Sequence, residues 1–163
     1  RRLADDMFDT MAAAKGVGLA APQVGRTERL CVIEVEEQRI ALFNPEIIHR
    51  EGAVKWEEGC LSIPEIYADV DRAGLVRVRA LDLDGQPFEI EGTELLGVAL
   101  QHEIDHLHGK LFLDRLSLLK RRSALKAWDR ERDKYPAGVR VLPVGDVREG
   151  SSANGAAPDA DAD

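Results

Sequence analysis

Apolar residues recur at helical spacing at the start of the chain, where Leu3, Met7, Met11 and Ala14 mark one face of a predicted helix. The chain opens on Arg1, without an initiator Met, at or inside that helix. The pattern breaks at KGVGLAAPQVG, whose glycines at 16, 18 and 25 and Pro22 predict a loop that lets backbone approach closely. Two short β-branched runs follow, RLCVIEV and IALFNPEII, and read as strands, the second interrupted at Asn44-Pro45. EGCLSIP comes after a polar bend. In LVRVRALDLDGQPFEIEG, apolar and polar positions alternate on both sides of Asp84-Gly85, which predicts a hairpin.

The period then returns to helical. A helix is predicted from about Thr93 to about Leu107, with Gly109 as its C-terminal cap. Leu96, Leu100, Ile104 and Leu107 form its apolar ridge, while His102 and His106 share another face with Leu95, Val98 and Ala99. A further helix, roughly Ser117 to Tyr135, stops before Pro136. Strands followed by helices, without regular alternation, predict an α+β fold with mainly antiparallel sheet packed around the 93–107 helix and a C-terminal helix beyond it. Residues 1–136 are expected to form the one folded domain. Residues 137–163 are expected to be a disordered acidic tail, since they include the low-complexity stretch SSANGAAPDADAD.

Composition narrows the function class. With 44% apolar and 32% charged residues the chain has the balance of a soluble globular protein. Its net charge of −8 argues against a broad nucleic-acid-binding face. No apolar run approaches the roughly 20 residues of a membrane span, and acids occupy the place of a signal peptide's apolar stretch, so a cytoplasmic protein with no membrane partner is expected.

The chemistry concentrates in QHEIDHLHG, residues 101–109. Histidines four apart on a helix can point their imidazoles at one ion, and Glu103 beside them can reach a water bound there. His108 lies about 200° round the helix from His106, a position for a solvated or capping residue rather than a ligand. A catalytic metal usually takes three protein ligands and keeps an open position. Downstream the only candidate is Glu131, in a charge-dense helix. Upstream, Cys60 in EEGCLSIP is the better one, because a thiolate binds iron or zinc strongly and Gly59 lets the backbone come close.

Three motifs in order, GVGLAAPQ, EGCLS and QHEIDHLHG, resemble those of the peptide deformylases, over about residues 3–135. The resemblance implies Cys60, His102 and His106 as metal ligands and Glu103 as general acid and base. Gln23 and the backbone N–H of Leu61 would bind the formyl oxygen. Val17, Gly18 and Gly59 would meet the substrate, with Leu95, Val98 and Ala99 lining the methionine pocket. A Glu58–Arg72 pair would link the metal-bearing segment to its neighbour. Cys31 is read as a small buried strand residue, and a Cys31–Cys60 disulfide is disfavoured because it would remove a ligand.

The implied cofactor is one divalent ion, Fe²⁺ natively, with Zn²⁺ or Ni²⁺ also able to occupy the site. The implied substrates are N-formylmethionyl peptides, handled by a monomer. Residues 114–134 carry a net charge of +4, and in similar bacterial enzymes this helix docks on the ribosome; a solvated helix face is the competing explanation. The resemblance also implies an upstream segment of a few dozen residues that this sequence does not contain. Two alternatives stand beside this reading: a His-Glu-x-x-His zinc protease, and a catalytically inactive ribosome-binding member of the same fold.

Overall fold

The computed structural model describes residues 1–135; the tail expected at 137–163 lies outside them. Helix α1 (Arg2–Ala13) buries Ala4, Met7, Phe8 and Met11, the face its spacing predicts. Strands β1 (Gly18–Ala20), β2 (Leu30–Val35), β3 (Gln38–Glu51), β6 (Leu75–Leu81) and β7 (Pro87–Thr93) form one antiparallel sheet in the order β1-β2-β3-β6-β7. Strands β4 (Val54–Cys60) and β5 (Ile63–Arg72) form a separate antiparallel ribbon. Helices α2 (Glu94–Leu107) and α3 (Leu118–Glu131) follow, and the turn Arg132–Lys134 extends α3. The α+β architecture matches the sequence expectation, and no helix among the described residues is long and apolar enough to cross a membrane.

Strand β2 shows why its sequence is apolar on both faces. Leu30 and Val32 pack with α1, whereas Cys31 and Ile33 pack with α2, so the sheet is sandwiched between the two helices. Cys31 is fully buried, as expected, and burial pushes its thiol well above its ordinary range. A third core, built on Ile63, Ile66, Val70, Phe112 and Leu113, joins the ribbon to α3 through Ala124. Each fully buried side chain of this size contributes about 1.5–3 kcal/mol.

Two expectations are corrected. Strand β3 is not interrupted at Asn44-Pro45 but runs through it on a register shift between Phe43 and Glu46, with Asn44 at φ +50°. A bulge accommodates the proline, which has no N–H to give the ladder. The second concerns the ribbon β4–β5, which the sequence pattern shows only as a bend and a short motif. Its inward positions include Glu58 and Arg72, so its apolar alternation is broken by charge.

Helix α2 is fixed at both ends by glycine. A β-carbon on Gly97 would stand 2.7 Å from the carbonyl oxygen of Gly92, so β7 and α2 touch backbone to backbone. At the other end Gly109 adopts φ +70°, its N–H donates to the His106 carbonyl at 3.0 Å, and the Lys110 N–H donates to the Asp105 carbonyl at 2.9 Å. This is a Schellman closure, which needs a left-handed residue. Gly97→Ala is expected to destabilise the protein by about 1–3 kcal/mol through overpacking, despite alanine's better helix propensity. Urea unfolding measures it, and unchanged or greater stability would contradict the backbone contact.

Candidate metal centre

Cys60 is the last residue of β4, where the ribbon turns through Leu61 and Ser62 toward β5. That turn brings its Sγ to 3.3 Å from Nε2 of His106 on α2. One ligand atom each from Cys60, His102 and His106 lies within 4.8 Å of the others, the only such group among the described residues. The imidazoles stand edge to face, 4.7 Å apart at 84°. Glu131, the downstream alternative, pairs instead with Lys134 on the extension of α3 and takes no part.

Both imidazoles are oriented through their second nitrogen. Nδ1–H of His102 donates to Glu58 Oε2 at 2.8 Å, and Nδ1–H of His106 donates to the Lys110 carbonyl at 3.1 Å, the residue brought round by the Gly109 closure. Each ring therefore turns Nε2 away from these partners, the arrangement of ligands held by hydrogen-bonded neighbours. His108 is the C-cap of α2, its Nδ1–H donating to the Ile104 carbonyl at 2.9 Å, and it faces away from the centre as expected.

Glu58 belongs to a buried chain of charges. Arg72 Nε and Nη2 donate to its two oxygens at 2.6 and 2.9 Å, so the expected Glu58–Arg72 pair is present. The chain runs further than the sequence reading anticipated. Arg72 Nη1 also donates to Asp105 Oδ2 at 2.6 Å, and Arg115 Nε reaches the same oxygen at 3.0 Å. Burial opposes the charge on Glu58 and Asp105, but these guanidinium bonds outweigh it and hold both carboxyls below their ordinary range. Asp105 stands in the histidine motif, yet only its position beneath Arg72 shows its task. Gln101 likewise ties α2 to Ala73, accepting from its N–H and donating to its carbonyl, both at 3.1 Å.

The electrostatics favour a cation. Burial opposes a thiolate at Cys60, yet the hydrogen bonds and charge of His102 and His106 outweigh it and bring the thiol down to about 5. Burial also opposes an imidazolium at His102, but Cys60 and Glu58 outweigh it and raise the ring to about 10. A thiolate that draws a proton onto its neighbour is a place where a metal ion can take over the positive charge. Glu103 is pushed up to about 7, burial being the largest cause, partly offset by the two histidines. Its Oε2 is buried and has no protein hydrogen-bond partner, so it is left to a group the chain does not supply. One thiolate, two imidazoles and a free carboxylate oxygen fit a divalent metal with a water beside it.

The centre opens into a cleft of about 470 Å³. Val17 and Gly18 line it from the first loop, Gly59, Cys60 and Leu61 from the ribbon, and Leu95, Val98 and Ala99 from α2, which brings the predicted set together. Gly18 is required for a reason the sequence did not show: a β-carbon there would stand 2.3 Å from Glu103 Oε1. Gln23 accepts from the Ala20 N–H at 2.8 Å, which turns its amide nitrogen toward Ser62 Oγ at 3.0 Å and Cys60 Sγ at 3.8 Å. Ser62, quoted in the motif but given no role, returns a bond from its N–H to the Cys60 sulfur at 3.4 Å.

Arg72→Met is expected to cost about 3–5 kcal/mol in urea unfolding of the metal-loaded protein, because it leaves Glu58 and Asp105 buried beside an apolar side chain. A cost below about 1 kcal/mol would contradict the role of this guanidinium as the joint between ribbon and helix.

Comparison with known proteins adds an independent line. The polypeptide deformylase family model matches residues 1–122. The chain is 55% identical over 133 residues to a peptide deformylase of Hydrogenovibrio crunogenus, across 80% of this chain and 79% of that protein. It is 61% identical over 115 residues to one of Heliobacterium modesticaldum, across 71% and 76%. The crystal structure of a peptide deformylase from Legionella pneumophila aligns with a TM-score of 0.78 at 51% identity, covering 82% of this chain and 80% of that one. A peptide deformylase from Synechococcus elongatus in complex with actinonin aligns at 0.72 and 43% identity, covering 76% and 69%. The motifs, the fold they build and these relatives agree, and the chain belongs to the peptide deformylase family.

Proposed function

We propose that removal of the formyl group from the N-terminal formylmethionine of nascent polypeptides, the family's reaction, is carried here by Cys60, His102 and His106 as ligands of one divalent ion and by Glu103 as proton carrier. The observation that supports this most directly is the convergence of three ligand atoms within 4.8 Å beside a buried carboxylate with an unpartnered oxygen. Bound there, the ion supplies Lewis acidity and makes water nucleophilic near neutral pH. Fe²⁺ is proposed as the native ion; one thiolate and two imidazoles also suit Zn²⁺ and Ni²⁺.

The chain's own residues divide the remaining work. Glu103, raised to about 7, exchanges protons near neutral pH, taking one from the attacking water and giving one to the departing amine. The Gln23 amide, aimed at the centre by its bond to Ala20, and the N–H of Leu61 stabilise the negative charge that develops on the formyl oxygen. Leu95, Val98 and Ala99 form an apolar floor for the methionine side chain, and Val17, Gly18 and Gly59 border the peptide backbone. Formate leaves and a free amino terminus remains. The protease alternative lacks support, since its expected downstream ligand stands elsewhere. The inactive-member alternative lacks it too, since every position of the implied catalytic set is filled.

The basic face of α3 supports a second, finer proposal, docking on the ribosome by a monomer in the cytoplasm. Leu118 and Leu119, the helix's first two residues, are 76% and 79% exposed beside Lys120, Arg121 and Arg122. Exposed apolar side chains next to basic ones suit an anionic, partly apolar surface.

Metal-loaded protein is expected to release formate from formyl-Met-Ala-Ser, to lose this with a chelator, and to recover it better with Fe²⁺ than with Zn²⁺. Glu103→Gln is expected to keep its metal and lose about 10²–10⁴-fold in kcat. No formate from folded, metal-loaded protein would refute the reading. For docking, co-sedimentation with ribosomes is expected, and it should fall at high salt and on charge reversal of Lys120 to Arg122. The same runs without ribosomes should give a monomer. Ribosome binding that neither salt nor charge reversal weakens would leave the basic face without a role.

A further inference from the structure

Beside α2 lies a second groove, of about 560 Å³, that shares no lining residue with the cleft at the metal centre. Four cations line it, Arg29, Arg50, Lys110 and Arg115, against two carboxylates, Glu46 and Asp105. Asp105 is already taken up by Arg72 and Arg115, which leaves Glu46 as the one lining carboxylate that no guanidinium holds. In a chain with a net charge of −8 the groove reverses the local sign. Its apolar lining is Pro45 and Ile104, both buried, and Ile47, half-buried.

Backbone geometry, rather than pairing with acids, presents these cations. At the bulge of β3 the Asn44 N–H donates to the Arg29 carbonyl at 2.7 Å, and Arg29 Nη2 donates to the Pro45 carbonyl at 3.4 Å, so Arg29 is tied to the groove wall at two points. On the other wall the Gly109 closure brings Lys110 round, its N–H donating to the Asp105 carbonyl and its own carbonyl accepting from His106. Arg115 Nε and Nη2 donate to Asp105, which leaves the rest of its five-donor guanidinium for a ligand. His108, also in the lining, uses Nδ1–H on the Ile104 carbonyl and keeps Nε2 without a protein partner. Arg50 and Lys110 have no acidic partner among the described residues.

We propose that this groove is a binding site for a phosphate monoester carried on a small apolar body, separate from the site of deformylation. Guanidinium forks match the oxygens of a phosphate, and three of them with one ammonium suit a dianion better than a single carboxylate. The cations come from three stretches far apart in sequence, before β2, on β3 and after α2, so only the folded chain assembles them. Pro45, Ile47 and Ile104 offer the apolar body a surface that water solvates poorly. A formylated peptide has no dianionic group at its reacting end, so the deformylation chemistry makes no use of this groove.

The test is a titration of the zinc-loaded full chain with phenyl phosphate and, separately, with inorganic phosphate, followed residue by residue in amide NMR spectra. Saturating shifts are expected at Arg50, Lys110 and their neighbours in the groove, with those of Cys60 to Ser62 unmoved. Phenyl phosphate is expected to bind about three- to tenfold more tightly than inorganic phosphate, the range of a partly buried ring. Arg50→Gln and Lys110→Gln are each expected to weaken binding by about three- to tenfold, and Glu46→Gln to strengthen it. Arg50, Lys110 and Glu46 are exposed, so these exchanges leave the fold intact, and their opposite signs separate a charge effect from a general loosening. Shifts that never saturate, or that gather only around Cys60, would overturn the inference. So would affinities that the three variants leave unchanged, or equal affinity for the two probes.

Discussion

A guanidinium buried between two carboxylates holds the two halves of this site together. Arg72 ends strand β5, Glu58 stands two residues before Cys60 on β4, and Asp105 stands one residue before His106 on α2. Only 2% of the Arg72 side chain is exposed, so its charge is tolerable only while both partners are present. The gain over an apolar core of similar volume is small or negative, and the benefit is geometric. Two elements that share no hydrogen-bond ladder, the ribbon and the helix, are locked at one separation, which brings a cysteine sulfur against a helical histidine. The same Glu58 that satisfies Arg72 accepts from His102, so the joint and the ligand orientation are one device.

Close approach does the rest. Gly18 leaves the space into which the Glu103 carboxylate fits, and Gly97 lets α2 lie against β7 without a side chain between them. Glu103 is thereby enclosed away from water, which raises it to about 7, where a carboxylate both takes and gives a proton at working pH. Its Oε2 is a buried side-chain polar atom without a protein partner, the only one among the described residues. Such an atom costs stability, and a cost borne beside the three ligand atoms is what the proposed role of Glu103 as proton carrier would explain.

Much of this was legible in the sequence. The helical spacing of α1, the alternation around Asp84-Gly85 and the apolar ridge of α2 each report one element packing on one neighbour, which local periodicity records. The histidine pair was legible for the same reason. The third ligand was less so: the residues made Cys60 the better candidate over Glu131 on thiolate chemistry and a neighbouring glycine, and the motif resemblance supplied the assignment. The ribbon β4–β5 was missed because its buried residues include Glu58 and Arg72, and charged residues read as surface until their partners are known. β3 was broken in the reading at Asn44-Pro45 because a bulge makes room for a proline that a ladder would reject. The tasks of Asp105 and Ser62 follow only from three-dimensional neighbours, Arg72 and Arg115 for the one, Gln23 and the Cys60 sulfur for the other.

The proposed chemistry requires that the ribbon deliver one sulfur, and α2 two imidazoles, to a single ion. X-ray absorption on the zinc-loaded protein tests this without relying on turnover. The expected shell has one sulfur at about 2.3 Å and two imidazole nitrogens at about 2.0–2.1 Å, completed by a light atom. A shell without sulfur, or with the two sulfurs that only recruitment of Cys31 could supply, would contradict it.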